Sequence, residues 1–164
     1  MKRVFIAPLL AAVARPVFPT KAAPHWDPVP GVTPILRREP TLLRAIACPW
    51  VDVIAHPLGR RLLKRDAHQA DMAAVFAAAA AAGVAMEINA QIERLDLDEA
   101  HARQARDAGV GITISSDAHS VHGLSALRWG VAVARRARLT PADVLNTRSV
   151  QEFRAALRRH KGHG

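Results

Sequence analysis

The amino-acid sequence predicts an α/β fold, with about three parallel strands and flanking helices behind an irregular, proline-rich N-terminal segment. Three observations predict it. Short apolar runs recur at 51–57, 84–90 and 110–119, as in strands buried on both faces of a parallel sheet. Stretches of helical character lie between and after them, the earlier ones stopped by Pro49, Gly83 and Gly109. The resulting order, β-α-β-α-β-α-α, implies right-handed crossovers. Three strands do not close a barrel, so they read as part of an open sheet or as a piece of a larger barrel.

The first 40 residues are of another character. Nine of the 11 prolines lie in residues 1–50, where Asp27 and Glu39 are the only acids. Prolines at 16, 19, 24, 28, 30, 34 and 40 forbid a long helix or central strand, so residues 1–40 are expected to be irregular or extended. Lys2 and Arg3 precede an apolar run, Val4 to Ala14, that imitates a signal peptide. Pro8 interrupts it, and a cytoplasmic location is expected.

From Thr41 each element has a local cause. Thr41 can cap the helix LLRAIACP. VDVIAHP (51–57) is the first strand, followed by the basic loop GRRLLKRDAH (59–68). ADMAAVFAAAAAAG (70–83) is a helix of high intrinsic propensity. VAMEINA (84–90) is the second strand. DLDEAHARQARDAG (96–109) is a helix with acids in its first turn. VGITISSDAH (110–119) is the third strand and GLSALRWGVAVARRA (123–137) a third helix. TPAD (140–143) opens a short helix, with Thr140 as cap and Pro141 at the first helical position. SVQEFRAALRRHK (149–161) is a last amphipathic helix.

Composition bounds the function. With 164 residues, half of them apolar, the chain can bury a core and is not disordered. The 23 Lys+Arg against 14 Asp+Glu give a formal charge of +9, which favours polyanionic partners such as nucleic acid or phosphorylated substrates. The single cysteine, Cys48, excludes an internal disulfide and a cysteine zinc cluster, and reads as a small buried hydrophobe. No stretch is long and apolar enough to span a bilayer, so no membrane partner is expected.

Chemistry is expected at the C-terminal ends of the parallel strands. The first strand ends in His56, the second carries Glu87 and Asn89, and the third ends in Asp117-Ala118-His119. In a D-x-H sequence, residues two apart project to one side, so a carboxylate and an imidazole can converge on one cation. Those donors suit zinc, manganese or iron. Taken singly, Asp117 reads as a helix cap and His56 as a satisfied strand-end histidine; their coincidence at matching strand ends favours metal ligation. Glu87, within an apolar strand, must be paired, metal-bound or protonated. It would orient a metal-bound histidine or pair with an arginine. Asn89 would satisfy backbone groups near the strand end or contact substrate. Arg60, Arg61, Lys64 and Arg65 would attract a phosphate or simply be solvated, and Arg94 would contact phosphate or pair with Glu93 or Asp96.

These residues carry a resemblance. VDVIAHPLGRRLLKRD, MEINAQIERLDL, ITISSDAHS and GVAVARRARLTPADVLNT, in this order, resemble the C-terminal part of the PHP (polymerase and histidinol phosphatase) domain. The version at the end of bacterial X-family DNA polymerases is the nearest in pattern, on Arg94 through Asp98 and the VLNT at 144–147. The resemblance implies a distorted (β/α)7 TIM-like barrel, of which residues 41–164 would be a partial, C-terminal portion. It implies a divalent metal cluster (zinc or manganese, magnesium as a further option) and phosphoester hydrolysis, in this branch a 3′-5′ exonuclease acting in DNA end processing and repair. His56, Asp117 and His119 match metal ligands and so carry the catalytic role; Glu87 matches a strand carboxylate of the branch. The family's opening H-x-H and several further ligands have no counterpart, and of the leader's residues only His25 is a histidine. A truncated or broken chain is therefore expected. The alternatives are a catalytically impaired nucleic-acid-binding remnant, and a phosphatase of small molecules of the histidinol-phosphate kind. DNA or another phosphorylated substrate is the expected partner, and an open sheet edge would invite self-association.

Overall fold

The computed structural model describes residues 3–6 and 38–158. The rest of the proline-rich leader, including most of the signal-like run and His25, lies outside the described residues, as do residues 159–164.

Four strands form one sheet: β1 (Arg3–Ile6), β2 (Val51–Ala55), β3 (Ala85–Asn89) and β4 (Ile112–Ser115). Their spatial order is their chain order, and every neighbouring pair is parallel. One strand thus adds to the three expected. Arg3–Ile6 belongs to the stretch read as irregular or extended; as an edge strand before Pro8, it escapes the restriction that proline places on central strands.

The helices are α1 (Arg38–Ile46), α2 (Met72–Ala82), α3 (Glu99–Asp107), α4 (Leu127–Arg136) and α5 (Val150–Arg158). Helix α1 starts three residues before the expected Thr41 cap. Pro40 falls in its first turn, where a missing N–H costs nothing. Helix α2 follows expectation: the Asp71 carboxylate accepts the Ala74 N–H, and Gly83 closes the helix at φ 67°, where its N–H reaches Ala79 and Ala80 carbonyls. A 3₁₀ turn, His122–Ala126, leads into α4. The expected helix at 140–143 is instead a turn. Asp143 accepts both the backbone N–H (2.7 Å) and the hydroxyl (2.9 Å) of Thr140, and a 3₁₀ turn at Leu145–Thr147 follows. A side-chain lock on the turn satisfies the donors that a continuing helix would have used.

Helices α1 to α4 pack side by side in chain order, and one apolar cluster joins them to the sheet. Leu42, Ile46, Ile54, Val75, Phe76, Met86, Ile88, Leu97 and Ile112 are its buried centre, with Cys48 packed against it. Gly130 lets α4 lie directly on the sheet. A Cβ there would stand 2.6 Å from Ile114 Cγ2 and 2.9 Å from Ala90 Cβ. Val53, Ala85 and Leu145 form a second cluster with Phe153, Ala156 and Leu157 of α5. Among the described residues, no helix is long and apolar enough to cross a membrane.

The edge expected to be open is covered at β4. Ile112 N–H donates to the Asp143 carbonyl (3.1 Å). The Asn146 amide accepts from Ile114 N–H (3.0 Å) and donates to Ile114 C=O (2.8 Å). One side chain thus imitates the two hydrogen bonds of an adjoining strand and blunts the edge.

Candidate functional site

Because all strands run parallel, the C-terminal ends of β2, β3 and β4 meet at one edge of the sheet, where His56, Asn89 and the 116–119 segment stand. Alternation along β3 sends Met86 and Ile88 into the helical cluster and Glu87 to the other side, with Asn89 two residues on. Glu87 is buried. Its carboxylate accepts the His56 backbone N–H (2.8 Å) and the Asn89 amide (3.3 Å), and the Ser115 side chain also bonds it. Burial raises its pKa above the ordinary value, and these hydrogen bonds oppose the rise. Its partners are therefore strand-end groups, not the arginine considered from sequence. Asn89 uses its other end as expected, its Oδ1 accepting Gln91 N–H (3.1 Å).

Asp96 is the site's unforeseen residue. It is fully buried and accepts Leu58 N–H (3.1 Å) and Gly59 N–H (2.7 Å), while its backbone pairs with Asn89. Burial pushes its carboxyl up to about 6 against the pull of those two N–H groups and Arg60. It ties the His-Pro-Leu-Gly turn after β2 to the loop after β3. Arg60 strengthens the same tie. Its guanidinium donates to the carbonyls of Arg94 (2.8 Å) and Leu95 (2.5 Å) and pairs with Asp98 (3.2 Å). All of this fixes the loop from within. The signal in the sequence was a lone acid between Leu95 and Leu97, easily read as the opening of the next helix. The true N-cap is Asp98, whose carboxylate accepts His101 N–H (2.9 Å).

At the mouth of this edge lies a groove of about 380 Å³, lined by Arg61, Gln91, Glu93, Arg94, Asp117, His119, Ser120 and Gly123. Arg94 Nε stands 3.8 Å from an Asp117 oxygen, so its partner is neither Glu93 nor Asp96. Its Nη1 is buried without a hydrogen-bond partner. Glu93 pairs instead with Arg61 (2.5 Å) and Lys64 (3.6 Å). Gln91 donates to the carbonyls of Ser116 (3.0 Å) and Asp117 (2.8 Å), holding the D-x-H turn in place. His119 is exposed, with Nδ1 2.7 Å from the Asp117 carbonyl. Asp117 does not cap the following 3₁₀ turn, which has no side-chain cap.

Two of the three expected ligands, Asp117 and His119, therefore line one groove. His56 is 2 % exposed and does not line it. Both His56 (φ 33°) and Asp117 (φ 48°) sit at positive φ just past their strands, a conformation that His and Asp tolerate better than most residues. Among the described residues, no three His, Cys, Asp or Glu side chains converge as a metal-holding group. Asp117 and His119 supply the donor types a divalent cation takes, two of the three or more that a closed site needs.

No protein-family model matches the chain. Over 116 residues it is 36% identical to a Bacillus subtilis (strain 168) protein, DNA polymerase/3′-5′ exonuclease PolX, a match covering 71% of this chain and 20% of that protein. The chain thus spans about a fifth of the length of the curated relative it matches, and what it is similar to is that portion.

Proposed function

We propose that this chain is a PHP-type phosphoesterase segment acting on the phosphodiesters of DNA ends, as the 3′-5′ exonuclease of X-family polymerases does by name. The observation that carries the reading is the meeting of His56, Glu87, Asn89 and Asp117-Ala118-His119 at one edge of a parallel sheet, in a chain 36% identical to PolX over 116 residues. The consecutive strand order, with α1 to α4 side by side in one cluster, supports a barrel wall over a doubly wound sheet, where the order would reverse. A cytoplasmic location goes with this reading.

The cation that the reading requires, zinc or manganese with magnesium as a third option, would be held by Asp117 and His119 in their groove, and His56, buried outside it, would hold another. When bound, it supplies Lewis acidity toward the phosphoester and makes water a better nucleophile. The chain's own groups do the positioning. Glu87 fixes the His56 backbone, Gln91 fixes that of Asp117, and Arg94, lining the groove beside Asp117, would bring its positive charge to a phosphate oxygen there. Arg61 reinforces the positive side of the same groove.

The test is hydrolysis of single-stranded DNA by the pure chain in Mn²⁺, with bound metal counted in parallel. Turnover lost in Asp117→Ala and His119→Ala is the expected result. No turnover together with substoichiometric metal would sink the catalytic reading. It would favour a nucleic-acid-binding remnant, which the Arg94–Asp117 contact supports, since the guanidinium already partly satisfies that carboxylate.

A further inference from the structure

The loop after β2 presents a combination that the catalytic reading leaves unused. Residues 61–65 form a tight hairpin. Arg61 N–H donates to the Arg65 carbonyl (2.8 Å) and Arg65 N–H to the Arg61 carbonyl (2.7 Å). At its tip Leu63 sits at φ 61° and is completely exposed, 106 % by relative accessibility. Leucine in the left-handed region clashes with its own backbone, and the exposed side chain gains nothing from the core. Glycine or asparagine would be the unstrained residue at such a tip. A floppy loop would relax this strain, and this one is held. Arg65 donates twice to the Gly59 carbonyl (3.0 and 2.6 Å), Leu62 N–H reaches the Glu93 carbonyl (2.6 Å), and Arg60 binds the neighbouring loop.

Leu63 does not stand alone. Leu62 is also exposed, and so is Ile92, the neighbour of Glu93, to whose carbonyl the Leu62 N–H donates. Around the tip, four cations (Arg60, Arg61, Lys64, Arg65) face three carboxylates (Asp66, Glu93 and the Asp98 that pairs with Arg60). The hollow under the loop, about 470 Å³, and the groove holding Asp117 and His119 share Arg61 in their linings, so the two adjoin at that side chain.

We propose that this loop docks the unpaired end of a nucleic acid strand, with Leu63 as a wedge against the face of a base and Lys64 and Arg61 on flanking phosphates. The charge surplus selects an anionic partner, and the rigid apolar tip selects one that alternates anionic groups with flat apolar faces. An unpaired strand does so, whereas a paired duplex hides its base faces. Apolar wedges of Leu and Ile are known to enter duplex base steps only by unstacking them at a cost, and an unpaired strand presents the same faces without that cost. The inference rests on the nucleic-acid reading above, and adds that strand-end capture is separable from hydrolysis.

The experiment measures binding of the full chain in EDTA, where no hydrolysis enters, to a short oligothymidine and to an abasic oligomer of equal length. Leu63→Gly and Leu63→Asn keep residue types that accept the left-handed backbone, so both should fold with an unchanged or higher Tm. Oligothymidine affinity should fall about tenfold, the equivalent of losing most of one buried apolar contact, while abasic affinity and the salt slope stay the same. Lys64→Gln should weaken both ligands alike and reduce the salt slope by about one. Unchanged oligothymidine affinity in the Leu63 variants overturns the proposal, as does an equal loss on the abasic chain. A Leu63-dependent loss seen only on anionic phosphatidylserine vesicles overturns it in favour of a membrane surface. Absence of hydrolysis in Mn²⁺ defeats the catalytic reading alone and leaves these binding results standing.

Discussion

The helical layer and the strand-end edge are built on opposite terms. The layer of α1 to α4 is apolar throughout its buried centre, and α2 is wholly alanine between Phe76 and Gly83. The edge buries His56, Glu87, Asn89 and Asp96 within a few residues of one another in the fold. Of the five non-glycine residues at positive φ among the described residues, four (His56, Leu63, Leu95, Asp117) belong to this edge, and only Arg138 lies elsewhere. Buried polar groups and left-handed side chains each cost stability. Their concentration at one edge teaches that the layer supplies the stability that the edge consumes, as at a surface selected for chemistry.

Emptying the layer gives the largest expected effect. Phe76→Ala removes a ring that is 1 % exposed, and should cost about 3–5 kcal/mol by lost transfer energy and cavity. Urea unfolding would measure it. A cost under about 1 kcal/mol would mean that the layer is not the source of stability, and the contrast would fail. Asp96→Ala attacks the edge. It leaves Leu58 and Gly59 N–H without an acceptor in a buried site, at about 1–3 kcal/mol each, partly offset by relief of a buried carboxyl. We expect a net loss of about 2 kcal/mol by that balance. Amide exchange should quicken at residues 56–60 and 91–97, with little change in α2. Uniform quickening would show that edge and layer are one cooperative unit.

The lateral border of the sheet offers a milder cut. Asn146→Ala removes both hydrogen bonds to Ile114, an exposed site where water can replace them, so the cost should be about 1 kcal/mol. The clearer consequence is association. Once uncovered, β4 presents free backbone groups, and the variant should show concentration-dependent sedimentation that the unaltered chain does not. Equal behaviour of the two would mean that Asn146 does not protect the edge.

How much of this was legible follows from which residues act locally. The strands, the Gly83 cap and the meeting of His56 with Asp117-Ala118-His119 at one edge are consequences of short-range pattern and parallel topology. Asp96, Arg60 and Asn146 act between segments 32 to 38 residues apart in sequence, and no periodicity encodes such pairs. For Arg94, charge proximity in sequence offers Glu93 or Asp96 as ion-pair partners beside a phosphate contact. Arg94 reaches across to Asp117 because the 91–95 turn carries it there. The β1 strand was missed because four residues before a proline carry too little pattern to separate an edge strand from a leader.

The smallest effect concerns the seam between the two regions, where α3 begins. Burial opposes ionisation of Asp98, but hydrogen bonds from the His101 side chain and N–H outweigh it and hold the carboxyl down at about 2. In return, the Asp98 hydrogen bond raises His101 above its ordinary value. The lowered Asp98 contributes stability above about pH 4 that is lost as pH falls toward 2. The raised His101 contributes fully below about pH 6.5 and loses its contribution as pH rises through its folded value. The pair is therefore worth most between about pH 4 and pH 6.5, and being partly exposed it should give less than about 1 kcal/mol. Asp96, raised to about 6, acts in the opposite sense, since folding favours its protonated form and its contribution declines from about pH 4 to 6. The measurement must therefore be a difference, wild type minus His101→Gln, across pH. A plateau in the acidic window that fades above about pH 6.5 assigns the seam to this pair. A difference that keeps its size at alkaline pH would assign it to the geometry of the cap, with charge playing no part.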